Sequence, residues 1–306
     1  MRVFGISLFI TAAALVIYFG LDLRGVGAWA LDTQRVFQNQ MAGAVRALQA
    51  GDTGAYIALL AGAGAYGFVH AVGPGHGKFL IGGVGLGTSV RVSHLMALAL
   101  VSSVMQALWA IVLVYGGLSL FASSLGRMTG LAEDVFAPIS YLAVGAVGCI
   151  LMWRGVRALP DRSEQERGHS HTHTHTHTHS CGHSDAAPCG CAHGPTPEEV
   201  AKVGSLRDAL FLVGSIAIRP CTGAIFLLII AWQMDILLAG ALAVIVMGIG
   251  TAGLTSLVAA SSVAARSVTF AYAGGLGTTT QVMPALQIFA GGLIMWMSFI
   301  LLRVAI

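Results

Sequence analysis

Apolar residues fall in long runs separated by short polar stretches, and the lengths of those runs decide the fold class. A bilayer core of roughly 30 Å is crossed by about 20 apolar residues in helical conformation. The segments that approach that length are Val3–Phe19, Tyr56–Val72, Val92–Phe121, Val135–Met152, Leu206–Ala231, Ile236–Ala260 and Gln281–Leu302. The pattern predicts an all-α polytopic membrane protein with about seven transmembrane helices. The first run also reads as a signal peptide, since Arg2 precedes it and Ala28-Trp29-Ala30 follows. Its length and the intervening Asp22 and Arg24 favour a retained helix.

The organisation expected from this spacing is an N-terminal transmembrane helix in 1–22, a periplasmic segment in 23–54, a first transmembrane repeat in 55–158, a cytoplasmic loop in 159–205 and a second repeat in 206–306. Composition agrees with the membrane class: 56% of the 306 residues are hydrophobic and 9% are charged. Soluble domains carry about 25% charged residues, so too little charge is present to cover a water-facing surface. Basic residues are scattered singly and form no patch, which excludes a nucleic-acid partner. The expected partners are the lipid bilayer and metal ions, with a homo-oligomer or a periplasmic partner left open. Lys and Arg accumulate on the cytoplasmic side of membrane proteins. With the N-terminus inside, ten of them, among them Lys78, Arg91, Arg154, Arg157 and Lys202, fall on the inner side against five outside. The expected location is the bacterial inner membrane, with the N-terminus and the loop 159–205 cytoplasmic.

Sliding the chain on itself by 146 residues superposes Ala71, Pro74 and Gly77 on Ala217, Pro220 and Gly223, and Pro138 and Gly145 on Pro284 and Gly291. In the expected topology the two halves run in opposite senses, as inverted three-helix repeats. Transporters built this way place discontinuous helices at matching positions around a midplane binding site.

Both candidate breaks carry chemistry. The first is His70-Ala71-Val72-Gly73-Pro74-Gly75-His76-Gly77-Lys78. Proline removes a backbone donor and clashes with the preceding turn, and the flanking glycines add freedom, so a regular helix stops here. Irregular backbone at membrane depth is tolerated where protein buries it or where it lines a watery cavity. His70 and His76 bracket the break, and imidazole suits divalent transition metals. Lys78 is expected at the cytoplasmic end. The alternative is a loop with helix-capping histidines and a snorkelling lysine. The second break is Arg219-Pro220-Cys221-Thr222-Gly223, which presents a thiol and a hydroxyl as further candidate ligands on the path. Cys221 also reads as a small buried hydrophobe. Gly73, Pro74, Gly75, Gly77, Lys78, Arg219, Pro220 and Gly223 are the expected gating or helix-breaking positions. His94, near the inner end of the third run, is a further metal candidate or a residue facing headgroups.

The polar loop is the third constellation. His169, His171, His173, His175, His177 and His179 alternate with Ser and Thr, followed by Cys181, His183, Cys189, Cys191 and His193. Such tracts cannot form a packed core, and their composition is that of metal binding. Glycine pairs such as Gly83 and Gly87, and the cluster Gly248, Gly250 and Gly253, read as helix-packing surfaces.

With HAVGPGHGK at His70 to Lys78, RPCTG at Arg219 to Gly223 and the central His-rich loop, the chain resembles the nickel/cobalt efflux permeases, the NicO or RcnA-type branch of the nickel/cobalt transporter superfamily. The resemblance covers nearly the whole membrane portion. It implies a non-enzymatic transporter that exports Ni(II) or Co(II), or other divalent transition metals, without a tightly bound cofactor. By the same resemblance His70 and His76 are the leading transport ligands. The uptake branch is marked by H-x-x-x-x-D-H; here five residues separate the histidines and Gly75 precedes His76. The alternatives are an uptake permease of the same metals, a membrane thiol-disulfide electron carrier using Cys221, and an amino-acid exporter. No nucleotide-binding motif is present, so an ion gradient or the membrane potential is the expected energy source.

Overall fold

The computed structural model describes residues 23–73, 75–121, 129–159, 206–272 and 279–305. Every regular element among them is helical. In chain order they are α1 (Leu23–Gln49), α2 (Ala55–His70) and α3 (His76–Gly87). Next comes α4 (Val92–Ile111), which continues through a π-helical turn at Val112–Gly116 into Gly117–Phe121. Helix α5 opens with a π-helical turn at Leu131–Phe136 and runs on through Ala137–Arg157. The second half holds α6 (Leu206–Ala217), α7 (Thr222–Gln233), α8 (Leu237–Tyr272) and α9 (Thr279–Ala305).

Among the described residues four stretches are long and apolar enough to cross a membrane: Val92–Ser119, Leu131–Arg157, Leu237–Tyr272 and Val282–Arg303. The pair α6 and α7, bent by 61° at its break, supplies a fifth if taken as one span. The fold is therefore that of a multi-pass membrane protein. Large apolar side chains point outward along these helices, including Leu142, Leu238, Leu257 and Trp296. An exposed apolar shell is a liability in water and is expected against lipid.

Two stretches depart from the simple pattern of apolar runs. The run Tyr56–Val72 is resolved as the 16-residue α2, about 24 Å long and short of a full crossing, followed by the separate 12-residue α3. Residues 23–49 of the expected periplasmic segment form a 27-residue helix packed along α2. Ala30, Met41, Ala44 and Val45 are buried on one face of it, with Phe37 and Leu48 packed beside them. That spacing of three and four places them on a single helical stripe. The run Val3–Phe19 lies outside the described residues, as does the loop 160–205.

Helix α8 is the hub, packed against α2, α3, α4 and α7, while α5 and α9 make the most extensive pairing. Small residues set these distances, because association within a membrane depends on close packing rather than on escape from water. A β-carbon built on Gly148 would lie 2.9 Å from the Gly291 carbonyl oxygen, and one on Gly291 would lie 2.6 Å from the Gly148 carbonyl oxygen. The expected packing role of Gly83 and Gly87 is also met: β-carbons there would crowd Ile294 and Leu151.

Buried side chains form two separate cores. One gathers Val45, Leu59, Tyr66, Val114, Ile225, Leu228 and Met247. The other gathers Leu80, Ile81, Leu95, Val144, Ile216, Ala290 and Ile294. The chain passes from the first core to the second between Tyr66 and Leu80, and from the second to the first between Ile216 and Ala224. Both helix breaks lie on these crossings. Their starts also match: α3 begins at His76 and α7 at Thr222, the 146-residue offset noted above, and α4 and α8 start within one residue of it.

Candidate metal site at the two helix breaks

The first break exposes backbone that a helix would have paired. Helix α2 ends at His70, and the chain reaches Gly75 in extended conformation, φ −150° and ψ 135°, before α3 begins. Lys78, in the first turn of α3, turns back and donates from Nζ to the carbonyl oxygens of Ala71 and Gly73. Its ammonium thus satisfies carbonyls released by the break. More than two turns of α3 follow it.

The second break holds the complementary group. Cys221, extended at φ −72° and ψ 130°, immediately precedes α7 and lacks a side-chain cap. Arg219 donates from Nη1 to the Tyr141 hydroxyl, and its guanidinium carbon stands 5.2 Å over the Tyr141 ring. The Arg219 carbonyl accepts the Gln106 amide at 2.5 Å, tying the break to α4. Arg219 is accordingly held by α5 through its side chain and by α4 through its carbonyl, and among the described residues it forms no ion pair.

Folding brings the breaks together. Cys221 Sγ lies 3.6 Å from His70 Nε2. His70 Nδ1 is 3.0 Å from Gln34 Oε1 on α1, and the Tyr66 ring stacks on the imidazole at 5.6 Å with planes 13° apart. Tyr66 accepts the Gln38 amide at 3.3 Å. Gly223 is required here, since a β-carbon would overlap the Tyr66 ring and hydroxyl. Thr251 on α8 donates to the Gly67 carbonyl at 3.1 Å, one turn before His70.

Of the residues singled out from sequence, His70 and Cys221 are in contact, with Thr222 half-buried as the first residue of α7. His94 is exposed in the first turn of α4, apart from that contact. Pro74, the side chain of His76 and the whole of His169 to His193 lie outside the described residues. Among the described residues no group of three or more His, Cys, Asp or Glu side chains converges. Zinc-type distances of about 2.0 Å to nitrogen and about 2.3 Å to sulfur at a tetrahedral angle separate the donors by about 3.5 Å. The His70–Cys221 spacing fits a shared ion. Gln34, Gln38 and Tyr66 were missed by the sequence reading, although both glutamines border the apolar stripe of α1.

Comparison with known proteins agrees with this chemistry. Residues 56–187 match the family model NicO, described as high-affinity nickel-transport protein. The chain is 27% identical over 259 residues to a Haemophilus influenzae protein named "Putative nickel/cobalt efflux system", covering 81% of this chain and 77% of that one. No solved structure matches. The chain is thus similar to nickel/cobalt transport proteins over these stretches, in line with the resemblance drawn from the motifs.

Proposed function

We propose that this chain carries Ni(II) and Co(II) out of the cytoplasm across the bacterial inner membrane, loading the ion between His70 and Cys221. The observation that carries the reading is the 3.6 Å approach of an imidazole nitrogen and a thiol from two separate helix breaks. Imidazole and thiolate together suit borderline divalent metals. The NicO match supports the class of cargo, and the name of the Haemophilus influenzae relative supports the outward direction.

The two breaks start helices 146 residues apart, and α5 and α9 meet through reciprocal glycines, which supports two inverted repeats related by a two-fold axis in the membrane plane. Rocking of one repeat against the other then opens the His70–Cys221 pair to each side in turn. His76 joins the pair as a third ligand, Thr222 borders the route, and the loop from His169 to His193 gathers cytosolic ions. An ion gradient or the membrane potential drives the cycle.

Total nickel and cobalt are to be measured in a metal-sensitive bacterial host with the wild type, with His70→Ala and without the chain. Lower metal with the wild type alone supports efflux through this pair. Higher metal with the wild type reverses the direction, and no difference among the strains removes the reading.

A further inference from the structure

We propose that Gln34 is a positioning residue that fixes which nitrogen of His70 faces the metal, so that helix α1 is part of the transport site. The inference rests on the metal-site reading above and adds to it a residue lying outside the NicO match of 56–187.

A neutral imidazole has one N–H and one lone pair, and a metal takes the lone pair. Which nitrogen holds the proton is decided here by the neighbouring amide. Gln34 Nε2 donates to the Ala30 carbonyl, one turn earlier on α1, at 3.1 Å. That bond fixes the amide's orientation, because the flipped amide would face the Ala30 carbonyl with its own oxygen. Gln34 Oε1 is therefore the atom 3.0 Å from His70 Nδ1. An oxygen acceptor at that distance demands Nδ1–H as donor. The lone pair is then left on Nε2, the nitrogen 3.6 Å from Cys221 Sγ.

The ring plane is fixed by the same helix. Gln38, one turn after Gln34, donates to the Tyr66 hydroxyl, and Tyr66 lies flat on the imidazole. Two amides at i and i+4 on α1 thus set the tautomer and the tilt of one histidine. Metal-binding histidines commonly give their second N–H to an oxygen acceptor, and loss of that acceptor typically costs about 10–100-fold in metal affinity. When a divalent ion enters, the thiol proton that Cys221 shares with His70 Nε2 is lost to water, Nε2 and the thiolate sulfur each bond the ion in its place, and Nδ1–H stays with Gln34.

The test is nickel titration of the purified full chain in detergent, followed by the sulfur-to-nickel charge-transfer absorption. Cys181, Cys189 and Cys191 are changed to Ser throughout so that loop thiols do not contribute. The band must disappear in Cys221→Ser. Gln34→Leu and Gln34→Ala are expected to raise the half-saturating nickel concentration about 10–100-fold, while Gln34→Glu, which keeps an oxygen acceptor, stays close to the parent. Using Ala as well as Leu separates loss of the acceptor from a packing fault. A Cys221-dependent band with unchanged affinity in Gln34→Leu and Gln34→Ala overturns the positioning role alone. Equal weakening in Gln34→Glu overturns it as well. Absence of any Cys221-dependent band in the parent overturns the metal-site reading and this inference with it.

Discussion

Gly67 on α2 and Met247 on α8 touch backbone to backbone: a β-carbon on Gly67 would overlap the Met247 carbonyl group. Thr251 locks the two helices by donating to both carbonyls, each at 3.1 Å. The close approach lies less than one turn before His70, so it sets how far the imidazole reaches toward Cys221. Gly67→Ala should force the helices apart and destabilise the protein by about 1–3 kcal/mol, as overpacking does. Thermal unfolding in detergent checks this, with Gly43→Ala on α1 as the comparison. Open space surrounds Gly43, and alanine there should be neutral or stabilising by up to about 1 kcal/mol. Equal shifts for the two variants would show that the close approach carries no energy.

Cys221→Ser should lower the nickel transport rate by at least about tenfold, because removing even a group that only orients a metal ligand typically costs about 10–100-fold. Cys149→Ser should leave the rate unchanged; its sulfur is exposed on α5 and lies 3.6 Å from the Met295 sulfur. Rates are to be compared at matched protein levels in membranes. Equal activity of Cys221→Ser and the wild type would remove the thiol from the path.

Arg219 interacts with Tyr141 through both its ring and its hydroxyl. Tyr141→Phe keeps the cation–π interaction and gives up the hydrogen bond, whereas Tyr141→Leu gives up both. A desolvated cation–π pair is worth about 2 kcal/mol, so Tyr141→Leu should unfold at lower temperature than Tyr141→Phe. Indistinguishable melting of the two would show that the ring face contributes nothing.

Both helix breaks were legible in the sequence because proline and glycine act locally: Gly73-Pro74-Gly75 and Pro220 cannot continue a helix whatever surrounds them. The pairing of His70 with Cys221 was not legible, since it depends on how two distant segments cross between the cores. Helix α1 was overlooked for a different reason. Asp32, Gln34, Arg35 and Gln38 dilute its apolar stripe, so a search for continuous apolar runs passes over it. The signal was in the spacing of Ala30, Phe37, Met41, Ala44 and Leu48. Helix α3 was hidden because it is short and rich in glycine, and its neighbours supply the packing that its sequence lacks.

Arg266 on α8 donates to the carbonyls of Gly85 and Val90, where α3 ends. Arg266→Met should cost about 1.5–3 kcal/mol, the range for hydrogen bonds to a charged donor, with little change in metal affinity. Chemical unfolding combined with nickel titration separates the two effects. A loss of nickel affinity without loss of stability would place Arg266 in the transport site.

Deleting His169 to His193 should raise the metal concentration needed for half-maximal efflux and leave the maximal rate largely intact, because the role proposed for the tract is to gather ions ahead of the path. Transport rates across a nickel series give both quantities. Complete loss of flux would make the tract part of the route itself.

The central claim is tested most directly in inside-out membrane vesicles, whose outer face is the cytoplasmic one. Radioactive nickel should accumulate inside vesicles bearing the wild type and not in those bearing His70→Ala. Accumulation at the same rate with His70→Ala, or nickel loss from preloaded vesicles in place of uptake, would contradict efflux through the His70–Cys221 pair.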